Sequence, residues 1–368
     1  MSEKPNFIAM QSTRLQDTFW IHWNLSKRCN FNCSYCSDAL HDMTSPHHSL
    51  EYLISVANKI KKNIPDKKIR IWFTGGEPTA NPNFLEFCKF LKNQIRVTHI
   101  GLNSNGSRNV KYHTELIKYV NKIQFSSHFE FMDIDKFLEN LEAMPRKNSS
   151  LNLMAEPEHW DKVKRLVGFC EQRSINYHLK RIRPKYQWKE RHPASKDISY
   201  DSYGLINAGL LNSVEYTPPY TEEQIEWLEQ KEHTQVEDDQ GNNITKPDIL
   251  VYSDNNEEPE EKWANDYINS QQDNFFGWLC GVGLEGIEIN ANGTIHRGVC
   301  GVGGIISHVD DEDWKLPNNF IICNRTRCTC VADWKTTKYK SNSSRKDLRE
   351  SIAFEIYKRR GSLDSRNY

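Results

Sequence analysis

Long apolar runs are missing from this chain. Nowhere in its 368 residues do about eighteen apolar residues follow one another, the length that crossing a bilayer demands, so no membrane span is expected. The start, MSEKPNFIAMQSTRLQ, lacks the basic-then-apolar order of a secretory signal, which makes a cytoplasmic location the expectation. An excess of either charge is missing as well. Forty-eight basic and 49 acidic residues give a formal net charge of −1, which offers no general argument for nucleic acid or an anionic membrane as partner. Internal repeats are absent too. Mean hydropathy is low, −0.74, and with 37 % hydrophobic and 26 % charged residues this describes a globular chain with a wet surface or long polar insertions.

Cysteine is what the sequence does have, ten in all. Without a secretory signal these read as ligands or free thiols rather than disulfides. Three of them, Cys29, Cys33 and Cys36, fall within KRCNFNCSYCSD (27–38), spaced C-x3-C-x2-C. Asn30, Asn32 and Ser34 between them are small polar residues that let backbone amides turn toward a metal site. Structural zinc wants four protein ligands, so a zinc reading needs a fourth from His22, His41, His47 or His48. A cubane iron–sulfur cluster on three thiolates instead keeps one iron free to bind something else.

The surroundings of the loop follow from hydrophobic periodicity. Strands are expected at 20–25, 69–73, 97–103, 122–127, 150–156 and 176–182, with helices over 50–63, 82–93, 110–120, 134–143 and 159–173 between them. Strands spaced by helices imply parallel pairing with right-handed crossovers, in an open sheet or a complete or partial barrel. Reactive loops of such folds lie at the C-terminal ends of the strands, which is where the cysteine loop falls. FTGGEPT (73–79) leaves the next strand. Gly75 and Gly76 there permit positive φ and close backbone approach, Glu77 is held extended before Pro78, and Asn81-Pro82 reads as N-cap and first helical turn. LNSNGS (102–107) ends the third strand and SSH (126–128) the fourth, so Asn103, Ser104, Asn105, Ser126 and His128 are candidate binding residues. On the sixth, Lys180 and Arg181 emerge at the same end, where one of them suits a carboxylate or phosphate. Lys185 to Arg191 read as a solvated basic face.

Residues 186–274 are polar and read as an elaborated connection with a helix over 221–230. Half of the cysteines follow: Cys280, Cys300, Cys323, Cys328 and Cys330. Cys280 and Cys300 flank a predicted hairpin (286–299) turning at Asn292-Gly293, and CNRTRCTC supplies the other three. Packing alone does not account for five cysteines in so short a segment. Cys88 and Cys170 sit on apolar helix faces and are expected in the core. The tail 336–368 is basic, with a possible amphipathic helix around 345–358.

In its C-x3-C-x2-C loop after the first strand and its GGE after the second, the chain resembles the radical S-adenosylmethionine enzymes. The resemblance implies an α/β fold with a partial (β/α)6 barrel over about 15–185, and a [4Fe-4S] cluster on Cys29, Cys33 and Cys36 whose exposed iron chelates S-adenosylmethionine. It further implies reductive cleavage to a 5′-deoxyadenosyl radical that abstracts a hydrogen atom, with a flavodoxin- or ferredoxin-type reductant. Tyr35 would then meet adenine through its backbone, and Gly75, Gly76 and Glu77 the methionyl amino group. The polar residues after strands three and four would meet the ribose and the methionyl carboxylate. The cysteine-rich segment 275–335 resembles the SPASM or twitch auxiliary-cluster extension, although more residues separate Gly293 from Cys300 than in that pattern. Five cysteines are too few for two fully ligated clusters, so one further [4Fe-4S] cluster is expected, on Cys280, Cys300 and two of the last three. A peptide substrate or maturation of another protein is the leading expectation; a small anionic metabolite, sugar or nucleotide is the alternative. A rival of another class is a non-enzymatic zinc-knuckle protein.

Overall fold

A computed structural model describes residues 4–13, 18–36, 41–64, 67–94, 96–182, 220–231, 247–253, 258–270, 272–328 and 330–340. The basic run 185–191 and the proposed tail helix 345–358 lie outside them. The fold is mixed α/β, with one sheet of nine strands and another of six.

The larger sheet begins with β2 (Thr18–Asn24), β3 (Lys68–Thr74), β4 (Val97–Ser104), β5 (Lys122–Ser126), β6 (Ser149–Ala155) and β7 (Tyr177–Arg181). Each pairs in parallel with the next, as crossover helices require. Those helices are α1 (Leu50–Asn63), α2 (Phe84–Lys92), α3 (Val110–Leu116), α4 (Ile134–Ala143) and α5 (Trp160–Gln172). Helix α1 shows why they form. Ser49 caps it by accepting from the Tyr52 amide, and Leu53, Val56, Ala57 and Ile60, on one stripe, are buried. Helix α2 starts two residues later than expected: Asn81 closes a 3-10 turn, Pro78–Ala80, and its side chain accepts from the Asn83 amide.

Strand alternation splits the sheet into two unlike faces. Phe19, Ile21, Trp23, Ile69, Ile71, Phe73, Ile100, Leu102, Ile123, Phe125, Leu151 and Leu153 turn toward the helices and are buried with them. Each such side chain contributes roughly 1.5–3 kcal/mol. Cys88 and Cys170 are buried in this core, as their apolar helix faces imply. The opposite face carries His22, Trp72, Asn103, Gln124, Asn152, His178 and Lys180.

The larger sheet continues past β2 through β11 (Gly286–Ile289), β12 (Thr294–His296) and β13 (Ile305–His308), so that among the described residues β13 and β7 are its edges and it does not close. β11 and β12 form the expected antiparallel pair, but β11 also lies parallel to β2, placing Ile287 and Ile289 in the core and Glu288 beside His22.

The smaller sheet has the order β14–β10–β15–β1–β8–β9. It gathers β1 (Ala9–Ser12), β8 (Ile249–Tyr252), β9 (Glu260–Lys262), β10 (Trp278–Cys280), β14 (Ile321–Ile322) and β15 (Lys338–Lys340). Phe7, Met10, Phe275, Trp278 and Trp334 are buried beneath it, with Trp334 on the short α8 (Val331–Trp334); helices α6 (Glu222–Lys231) and α7 (Ala264–Asn269) precede it in the chain. No described helix is long and apolar enough to cross a membrane.

Candidate functional site

The cysteine loop leaves β2 and is held from below by β3. Pairing runs on past both strands: the Leu25 amide donates to Thr74 O (2.9 Å), Gly76 to Ser26 O (2.8 Å) and Glu77 to Arg28 O (2.8 Å). This is why glycine stands at 76. A Cβ there would lie 2.2–2.4 Å from the backbone of Lys27 and Arg28, whereas Gly75 has φ +95° and a Cβ would meet Ser26 O at 2.5 Å. The two glycines therefore seat the loop's backbone directly on the β3 turn. On the other side Cys29 N donates to Asp42 O and Asp42 N to Lys27 O, both at 2.7 Å.

Glu77 is buried, and its carboxylate accepts from Thr79 N (2.9 Å), Thr79 Oγ1 (2.6 Å), Ser104 Oγ (3.0 Å) and Asn105 N (2.6 Å). Only the last falls on Oε2, which keeps acceptor capacity. Burial still pushes the carboxyl above its usual range. Asn105 extends the chain of contacts, its amide reaching Asn30 Oδ1 (2.9 Å) and the Cys29 sulfur (4.0 Å). Asn140 on α4 pins the loop that carries Asn105, donating to Gly106 O and Arg108 O.

The far side of the cysteine loop rests on the ends of β5 and β6. Ser34 donates to Glu130 through amide and hydroxyl, and Phe31 stacks on Phe131 at 5.8 Å. The Tyr35 hydroxyl lies 2.7 Å from His128 Nδ1 and donates to Glu156 Oε1 at 2.8 Å. A hydroxyl has one proton to give, so this arrangement requires His128 to present Nδ1–H. Burial holds that imidazole down at about 4, which keeps it neutral near pH 7. Glu156 also accepts from the Phe129 amide (2.8 Å) and is raised by burial.

None of these three cysteines is in a disulfide. Burial raises Cys29, and burial with the charges of Cys36 and Glu130 pushes Cys33 up to about 12. At neutral pH Cys29 and Cys33 are protonated until a metal cation displaces the protons. Among the described residues no three His, Cys, Asp or Glu side chains converge as a single metal ion requires. A polynuclear cluster spaces its thiolates across several irons, so three cysteines on one turning loop fit it better than they fit one zinc ion. Of the histidines weighed as a fourth zinc ligand, His22 faces Glu288 (3.8 Å) and His48 stacks on Tyr52.

The remaining expected residues divide between faces. Asn103 lies on the polar face, where it accepts from Trp72 Nε1 (3.1 Å), and Ser126 lies there in register with Asn152. Ser104 turns the other way, onto Glu77. Lys180 is on the polar face, in register with Met154 and 3.3 Å from Asn265 Oδ1, while Arg181 pairs with buried Ala155 on the helix side. Glu288 was not expected. It is buried, accepts from Asn24 (2.8 Å) and brings a carboxylate from β11 to the polar face.

The C-terminal thiols form a separate nest. Cys280, Cys300, Cys323 and Cys328 are buried, and burial raises the pKa of all four; the charge of Asp333 adds to each, and that of a neighbouring thiol adds at Cys280, Cys300 and Cys328. Cys330, at the start of α8, is likewise raised by burial and then by Asp333 and Glu288. Asp333 accepts from Val299 N (3.1 Å) and Cys300 N (2.6 Å), binding the Cys300 turn to α8. Four buried thiols with no disulfide among them are a donor set that fits an iron–sulfur cluster.

Residues 23–130 match the Radical SAM superfamily. Curated relatives include GTP 3′,8-cyclases of Haemophilus ducreyi, 34 % identical over 96 residues (24 % of this chain, 26 % of that protein), and of Pasteurella multocida, 30 % over 95 residues (25 % and 28 %). The chain thus aligns with only about a quarter of their length. Among solved structures, anSMEcpe with bound AdoMet covers 93 % of this chain and 96 % of its own at 12 % identity and a TM-score of 0.45. Streptococcus suis SuiB bound to precursor peptide SuiA covers 80 % and 63 % at 15 % identity and a TM-score of 0.43. BtrN in complex with AdoMet and 2-DOIA covers 79 % and 78 % at 11 % identity and a TM-score of 0.41.

Proposed function

We propose, on the premise that the chain is an enzyme carrying a Radical SAM superfamily domain, that Cys29, Cys33 and Cys36 hold a [4Fe-4S] cluster and that S-adenosylmethionine binds on its open iron. The observation that carries this is the seating of the cysteine loop. Three thiols sit at the end of the first parallel strand, with the GGE backbone beneath and a polar sheet face beside them. When bound, these groups supply a 5′-deoxyadenosyl radical that takes a hydrogen atom from a substrate C–H bond.

The protein's part is binding and shielding. Gly75 and Gly76 fix the loop, the remaining acceptor on Glu77 faces the methionyl ammonium, and Asn105 steadies Cys29. Tyr35, clamped between His128 and Glu156, presents its backbone to adenine. Asn103, Ser126 and Lys180 line the polar face on which ribose, carboxylate and substrate lie. That face supports an open, partial (β/α)6 barrel, since the interior of a closed barrel is packed with branched apolar side chains. In the second module, of the SPASM or twitch kind, Cys280, Cys300, Cys323 and Cys328 hold an auxiliary [4Fe-4S] cluster. Cys330, half-buried at the start of α8 where the other four are buried, is the spare.

The substrate we favour is a peptide or a protein undergoing maturation, as the auxiliary-cluster resemblance implies. Lys180 on the polar face favours a second reading, a small anionic metabolite such as a nucleotide. Anaerobic purification followed by iron and sulfide counts tests the cluster assignment. About eight irons per chain support both clusters, about four remove the auxiliary one, and zinc without labile sulfide overturns the reading.

A further inference from the structure

We infer that Lys338 is the charge partner of the auxiliary cluster and holds that cluster at a higher reduction potential than it would otherwise have. The inference rests on the reading that Cys280, Cys300, Cys323 and Cys328 are its ligands.

Lys338 is the middle of the smaller sheet's surprise. A K-Y-K strand reads as solvent-facing lysines around one packed tyrosine, yet Lys338 is 1 % exposed. In the ladder between β10 and β15 it stands directly opposite Cys280. Its ammonium donates to the carbonyls of Asp333 and Thr336 (3.0 Å to the latter) and lies 5.2 Å from the Phe275 ring centre. These partners are neutral and stabilise the cation without cancelling its charge. The Asp333 carboxylate nearby is engaged by the amides of Val299 and Cys300.

A buried ammonium is costly unless an anion accompanies it. The Asp333 carboxylate is one such anion, and the thiolates of a cluster on Cys280 and its neighbours would be others. A fixed positive charge beside a cluster stabilises the added electron and raises the potential.

The test uses the full-length chain with Cys29, Cys33 and Cys36 replaced by alanine, reconstituted anaerobically so that only the auxiliary cluster is present. K338M and K338R are made on that background and followed by iron and sulfide assay and by redox titration monitored by electron paramagnetic resonance. A downward shift of potential in K338M, with K338R close to the parent, is the expected result. Cluster loss in K338M with retention in K338R supports the same role for charge. An unchanged potential in K338M, or loss of the cluster in both variants, overturns the inference. A parent lacking labile sulfide removes the auxiliary-cluster reading itself, a result separate from any potential.

Discussion

Two glutamates followed by proline organise the proposed active site. Glu77-Pro78 and Glu156-Pro157 each follow a strand, hold the glutamate extended (ψ 107° and 114°) and open a 3-10 turn. In both, the carboxylate turns back onto neighbouring loops and gathers their donors. Glu77 was legible because it follows two glycines; Glu156 carried the same Glu-Pro signal without them and escaped notice. Replacing Glu156 by alanine strips the Phe129 amide and the Tyr35 hydroxyl of their acceptor, so E156A should lower stability by about 1–3 kcal/mol in urea denaturation of the cluster-free protein. E156Q, which keeps an acceptor oxygen, should lose less. Buried imidazoles give a second prediction. Burial, with the charge of Arg108, holds His113 at about 4, below its ordinary 6.5. The unfolded chain therefore binds the extra proton between these values, and stability rises with pH through that window before levelling above about 6.5, by about 1.4 kcal/mol per pH unit for this group. Denaturation midpoints from pH 4.5 to 7 should show that slope, and H113L should remove its share.

At the scale of elements, the alternation of strand and helix from 20 to 182 was readable because each hydrophobic period is local. Five helices and six parallel strands lie where the pattern placed them, to within a few residues at their ends. What was not readable is pairing across long separations. β1 joins β8 and β15, more than two hundred residues away, and β11 adds itself in parallel to β2; no local pattern specifies such partners. Burial of Lys338 was illegible for the same reason, since only the ladder with Cys280 explains it. The glycines of GGE were noticed, but their chief structural work, receiving the cysteine loop, required the register of β2 against β3. G76A tests that work. Its Cβ would collide with backbone atoms that have no rotamer to yield, so the loop must shift. The variant should fold with a loss of about 1–3 kcal/mol in urea denaturation, and it should retain markedly less iron after reconstitution. An unchanged iron count would show that loop and turn are not coupled.

For the whole molecule, two thiol groups stand in different electrostatic settings. One lies on a loop at the end of a parallel strand, bordered by Glu77 and Glu130, and the other includes Cys280, which stands opposite the buried Lys338 and near Asp333. Between them β11 pairs with β2 and carries Glu288 to the polar face. The central claim is that the first group of thiols supports cleavage of S-adenosylmethionine. The most direct measurement is 5′-deoxyadenosine released by the anaerobically reconstituted, chemically reduced protein, compared with a variant in which Cys29, Cys33 and Cys36 are alanine. Formation by the parent and none by the variant is the predicted result; equal formation by both, or none by a parent that holds its iron and sulfide, would contradict it.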